Sequence, residues 1–217
     1  MTAEQLIESL RRAKVEEDWD IPEETLARLA ATAPALPTGR EEYLSFRIRF
    51  GTGSTGVALT FEAHVRRVLR VCASAKPDPR GRRPRADALR SGPESLRLLV
   101  GDNRHRPAVE WVTIRLDSYR YRDSVHGIRD WNLLADEGLV LAWLYPELVR
   151  AIDWQKRPSW LLAGYEVNVT GGVSQPWSQV PGIDCDLDTS AATLDVYPSN
   201  HNQPDFSVPQ VLGTGSP

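Results

Sequence analysis

Residues 43–50 read YLSFRIRF. Leu44, Phe46, Ile48 and Phe50 alternate with Tyr43, Ser45, Arg47 and Arg49, the period of two that gives a β-strand two unlike faces. The apolar set predicts a core face and the polar set a wet one. A strand wet on one side belongs to an antiparallel sheet, because parallel strands are covered on both faces. Working outward, residues 96–100, 109–116, 160–169, 183–187, 193–197 and 206–211 also read as strands. Turn-rich stretches such as TGGVSQPWSQVPG, DTSAA and PSNHNQP separate the later ones. No repeating βαβ pattern is present, so the expected class is α+β with a mainly antiparallel sheet.

The helices are marked by their ends. Thr2 and Gln5 have capping-box spacing, and Leu6, Ile7 and Leu10 form a narrow apolar stripe over residues 2–14. Asp20 and Glu23 repeat the spacing, with Pro22 in the first turn where its missing N–H is harmless. Leu26 and Leu29 carry that helix to about Ala31. Neither helix has much apolar surface, so residues 1–40 are expected to be an N-terminal helical arm on a single α+β core of residues 41–217. Residues 136–153 predict a central helix pair, broken before Pro146, which restarts the second helix. Residues 57–73 (VALTFEAHVRRVLRVCA) fit both periods and read as a short strand or turn running into a helix from about Thr60.

At 217 residues, 41% hydrophobic and 25% charged, the chain can bury a sizeable core. No apolar run approaches the roughly 20 residues needed to cross a bilayer, and the N-terminal stretch lacks a secretory h-region. Cys72 and Cys185 cannot make a disulfide scaffold or a cysteine zinc site alone; they read as buried thiols in a reducing cytoplasm. The lysines are only Lys14, Lys76 and Lys156 against a large excess of arginine. Together with the wealth of Ala, Gly and Pro, this suggests a GC-rich bacterial or phage source.

Charge is segregated along the chain. Residues 66–106 carry 12 Lys or Arg against 4 Asp or Glu, whereas residues 158–217 carry no Lys or Arg. Arg66, Arg67 and Arg70 belong to the expected helix. Arg80, Arg82, Arg83 and Arg85 belong to residues 76–93, a Pro- and Gly-rich stretch expected to be an exposed basic loop. Clustered guanidinium groups are what a phosphate backbone or an acidic protein requires. The same residues also suit a solvated loop, or a partner for the chain's own acids. No aromatic residue lies between Phe61 and Trp111, so base stacking is not supplied and any nucleic-acid contact would be sequence-tolerant.

Four weaker signals complete the reading. Gly51, Gly53 and Gly56 fit the GxGxxG spacing of a phosphate cradle, but a one-faced strand precedes them and no second parallel strand with a terminal acid follows, which favours a connector turn. Asp184, Asp186 and Asp188 alternate with Ile183, Cys185 and Leu187. That spacing either projects three carboxylates toward a divalent ion or simply sends them to water. An EF-hand reading of residues 184–195 fails at Thr189, where glycine is needed. His64, His105, His126 and His201 show no paired spacing, and His105 beside Asp102 reads as a surface turn. Of seven tryptophans, Trp143 and Trp154 read as core, and Trp177 is the one placed to serve an interface. The resulting expectation is a cytoplasmic binding or assembly protein without cofactor. Its partner would be an acidic protein, a second copy or a polyanion such as nucleic acid, and not a membrane. The alternative is metal-assisted phosphoester hydrolysis, as in a nuclease, at Asp184, Asp186 and Asp188.

Overall fold

The computed structural model describes residues 1–16, 19–51, 57–58, 96–98, 109–116, 134–153, 157–162, 165–167, 179–186, 191–198 and 206–212. The fold is α+β, with antiparallel pairing predominating. Helices α1 (Ala3–Glu16) and α2 (Glu23–Ala31) open the chain, and α3 (Ala135–Leu144) and α4 (Pro146–Arg150) form the central pair. One sheet has the order β1 (Glu42–Ile48), β5 (Val109–Arg115), β11 (Gln210–Val211), all antiparallel. A second contains β4 (Leu96–Leu98), β6 (Ser159–Leu161), β7 (Tyr165–Val167), β8 (Gln179–Asp186), β9 (Ala191–Pro198) and β10 (Phe206–Ser207). In it β8 pairs with β6, β7 and β9, all antiparallel, and β10 joins β6 in parallel. The short strands β2 (Phe50–Gly51) and β3 (Val57–Ala58) pair in parallel, Phe50 opposite Val57.

Local signals set the helix ends. The Thr2 N–H donates to Gln5 Oε1 (2.8 Å) and the Gln5 N–H to Thr2 Oγ1 (3.2 Å), a reciprocal capping box that satisfies two otherwise free amides. The second expected cap does not form. Helix α2 starts at Glu23 with Pro22 in the N-cap position and no side-chain cap bond. The Thr25 and Leu26 amides donate to the Pro22 carbonyl, and Glu23 and Glu24 sit on the positive end of the helix instead. Pro146 does begin α4, as its lack of an N–H favours. The stretch expected as one strand over residues 160–169 is divided into β6 and β7. Residues 206–211 are divided likewise into β10 and β11, which serve different sheets.

The layers follow from which faces are apolar. Leu44, Phe46 and Ile48 are fully buried as their alternation requires. Phe46 stacks on Trp111, its register partner, with ring centroids 4.4 Å apart. On that face the Trp111 indole N–H donates to the Leu29 carbonyl of α2 (3.0 Å), and the Arg28 guanidinium donates to the Val109 carbonyl (2.6 Å). The polar face of β1 is not wet. Helix α3 covers it, so that Ser45 is 0% exposed and Arg47 is enclosed. This helix is apolar on every side, with Leu139, Val140, Leu141, Ala142 and Leu144 all buried, as expected of a segment packed between two layers. With α4 it touches β1 in one sheet and β8 in the other.

Helices α1 and α2 therefore do more than extend an arm. Leu6, Ile7, Leu10, Trp19, Ile21, Leu26 and Leu29 join the same buried cluster as β1, β5 and α3, and Trp19 packs on Trp143 of α3 at 4.9 Å. A smaller cluster of Leu161, Val180 and Val208, with Tyr197 and Phe206 against it, lies apart from this core. The residues of β8 thus divide between the two clusters: Ile183 and Cys185 enter the main core, and Val180 the smaller one.

Candidate functional site

The arginines nominated from sequence, Arg66, Arg67, Arg70, Arg80, Arg82, Arg83 and Arg85, lie outside the described residues. So do Trp177, Asp188, Cys72, the four histidines, Gly53, Gly56 and the basic loop of residues 76–93. Gly51 ends β2. Asp186 ends β8, opposite Ala191 of β9. Asp184 is fully placed. It is half-buried rather than turned wholly to water. Its Oδ1 accepts from the Cys185 N–H (2.7 Å), and its Oδ2 lies 3.5 Å from the Tyr197 hydroxyl, which donates to it. Among the described residues no three His, Cys, Asp or Glu side chains are grouped to hold a metal ion.

What the structure does bring together is a charge cluster that strand alternation alone assigns to solvent. In β1, Arg47 stands opposite Glu110 of β5 in the sheet register. Its Nη1 meets Glu110 Oε1 at 2.7 Å, and its Nε donates to Glu137 Oε1 from the first turn of α3. The side chains of Arg47, Glu110 and Glu137 are 13%, 16% and 0% exposed. Glu137 Oε2 also accepts the Leu134 N–H (2.8 Å), closing the start of the helix. Asp136, half-buried, accepts the Glu137 N–H through Oδ1 (3.2 Å). Ser45, two residues before Arg47 and so on its face of the strand, is buried, with no hydrogen-bond partner for its hydroxyl among the described residues.

One guanidinium thus bonds two carboxylates, Glu110 and Glu137, with Asp136 beside Glu137 on the helix. Burial pushes the Asp136 carboxyl up to about 7, the neighbouring Glu137 charge adds to that, and Arg47 opposes it. Burial likewise raises Glu137, against the pull of Arg47 and of the Leu134 amide. Both carboxyls are thus held above their ordinary range. Nearby, the Tyr145 hydroxyl donates to the Leu44 carbonyl (2.9 Å). Burial first, then Glu147 and Tyr43, push that phenol up to about 12, so it remains a donor throughout the physiological range.

No local pattern announces this cluster. Arg47 and Glu137 are 90 residues apart, and their meeting depends on α3 covering a face that reads as solvent. The usable signal is that Asp136 and Glu137 open an otherwise wholly apolar helix, where the helix dipole favours acids and a buried position demands a cation.

Among the described residues no helix is long and apolar enough to cross a membrane. Comparison with protein-family models, with curated proteins and with solved structures finds no match for this chain.

Proposed function

We propose that this chain is a binding or assembly protein that contacts an acidic protein or a polyanion through the Arg-rich block of residues 66–85. The observation that carries this reading is the charge segregation of the sequence: 12 basic against 4 acidic residues over 66–106, and no Lys or Arg over 158–217. The internal pairing of the described charges supports it. Arg47 and Arg115 are taken up by Glu137, Glu110 and Glu42, carboxylates of their own neighbourhood, in β1, β5 and α3. Each of these arginines thus has a carboxylate partner in its own neighbourhood. Without aromatic residues in the block, recognition rests on charge and tolerates sequence.

The test replaces Arg80, Arg82, Arg83 and Arg85 with Ser and measures fluorescence anisotropy against heparin, a single-stranded oligonucleotide and polyglutamate at several salt concentrations. With the oligonucleotide, the logarithmic salt dependence is expected to flatten by up to about 3, because each single-strand phosphate left without its arginine removes about 0.7 from the slope. Stability should change by less than about 0.5 kcal/mol, since solvated charges contribute little to folding. Unchanged affinity for all three probes rejects the proposal. Unchanged affinity with altered salt dependence of stability assigns the block to internal neutralisation instead.

A further inference from the structure

Between α2 and β1, residues 33–38 (APALPT) belong to no helix or strand. Their own chemistry still fixes their shape. Pro34 and Pro37 hold φ at about −65°, and each bars the residue before it, Ala33 or Leu36, from the helical region. What remains is the extended, left-handed polyproline II helix, which has about three residues per turn and no internal hydrogen bonds. Both marks are present. No hydrogen bond involves residues 33–38 among the described residues; the nearest run from the Thr32 N–H to the Arg28 carbonyl (2.9 Å) and from the Gly39 N–H to Glu42 Oε2 (3.2 Å). Burial also repeats at every third residue: Pro34 and Pro37 are half-buried, whereas Ala33, Ala35, Leu36 and Thr38 are exposed. The proline edge therefore rests on the protein, and the edge shared by Ala33 and Leu36 faces outward. Leu36 is 46% exposed, one of three large hydrophobic residues so placed among the described residues.

We propose that residues 33–37 are a docking segment for a protein partner that reads polyproline II helices through a groove lined with aromatic side chains. Pro34, Ala35, Leu36 and Pro37 have the PxxP spacing that such grooves take, because prolines one turn apart share an edge. Leu36 and Ala33 enter the groove with the open part of the two rings. The free carbonyls of the segment accept from tyrosine or tryptophan donors at the groove wall. Arg40, exposed three positions after Pro37, faces an acidic rim. The segment is also preorganised. The element before it is tied to the sheet by the Arg28 bond to Val109 and the Trp111 bond to Leu29, and the strand after it is core. Much of the ordering entropy is therefore lost on folding and not on binding. Residues 33–38 carry no charge, so this surface is separate from the Arg-rich block and does not rest on it.

Surface plasmon resonance of the full chain over an immobilised SH3 domain and an immobilised WW domain tests it. The wild type should bind at least one of the two. Leu36→Ala should weaken that binding about tenfold or more, the factor expected for burying much of a leucine side chain. Its melting temperature should equal that of the wild type, because Leu36 takes no part in the core. The variant with Ser at Arg80, Arg82, Arg83 and Arg85 should bind as the wild type does. No binding to either domain, or equal binding by wild type and Leu36→Ala, overturns the proposal. Binding that is lost with the arginines and kept in Leu36→Ala also overturns it and returns the contact to the Arg-rich block. Should Leu36→Ala lower the melting temperature, Ala33→Gln, a larger polar side chain on the same edge, takes its place with the same expected loss and the same refuting result.

Discussion

Replacing Arg47 by alanine removes the cation that Glu137 and Glu110 share and that opposes the charge of Asp136. Removing one partner of a buried ion pair costs about 3–5 kcal/mol, because the charge left behind is neither hydrated nor matched. The Arg47 side chain is itself largely buried, so the upper part of that range is expected at pH 8. The loss should shrink in acid. Without Arg47 the Glu137 carboxyl is raised further above its unfolded value, and stability recovers by about 1.4 kcal/mol per pH unit for each proton taken up on folding. Urea denaturation followed by tryptophan fluorescence at pH 5 and pH 8 provides the readout, since Trp19, Trp111 and Trp160 are buried. Adding Glu137→Gln to Arg47→Ala should restore part of the loss, because glutamine still accepts the Leu134 N–H but carries no charge. A coupling of about 0.5–3 kcal/mol is expected in the resulting cycle. A cost below about 1 kcal/mol at pH 8, the value of an exposed ion pair, would show that the cluster is effectively hydrated. A loss equal at both pH values would show that the charges left behind are not its cause.

Two further outcomes follow from packing alone. Phe46→Ala should cost about 3–5 kcal/mol, with no dependence on pH between 5 and 8, because it removes a fully buried ring stacked on Trp111; a neutral effect in the same urea assay would remove β1 from the core. Gly182→Ala would place a methyl 2.7 Å from the Tyr197 ring and 3.1 Å from the Trp160 carbonyl. The ring must shift off Phe206, costing about 1–3 kcal/mol, and a melting temperature equal to wild type would show that the ring moves freely.

How much of the fold is legible depends on the distance over which each signal acts. The capping box at Thr2 and Gln5 and the restart at Pro146 are contained within a turn, and both form. The alternation of Leu44, Phe46 and Ile48 locates the core side of β1. It cannot say what lies on the other side, because periodicity reports contrast between faces rather than their solvation. Arg47 reads as wet for that reason and is enclosed by a helix that arrives 90 residues later. The Asp20 cap fails because the helix begins only after Pro22, too late for Asp20 to reach the free amides. The alternation over residues 183–187 correctly sends Ile183 and Cys185 inward. It has no means of revealing that Tyr197, across the hairpin, ties down Asp184. The arginines and Trp177 on which the functional reading rests lie outside the described residues, so for them the sequence pattern remains the argument.

The short C-terminal stretch from Phe206 to Val211 has a consequence for cooperativity. Its first half adds to β6 in one sheet and its second half to β5 in the other, with Val208 buried between. Two sheets that share a strap this short cannot melt one after the other without tearing it. Their loss of structure is coupled through backbone hydrogen bonds as well as through the core. The pairing is also distant in sequence, since β11 meets a strand that begins at Val109, so closing it requires a long loop to be ordered first. A clasp closed that late should leave the rate of unfolding, more than the rate of folding, sensitive to changes at Val208 and Val211.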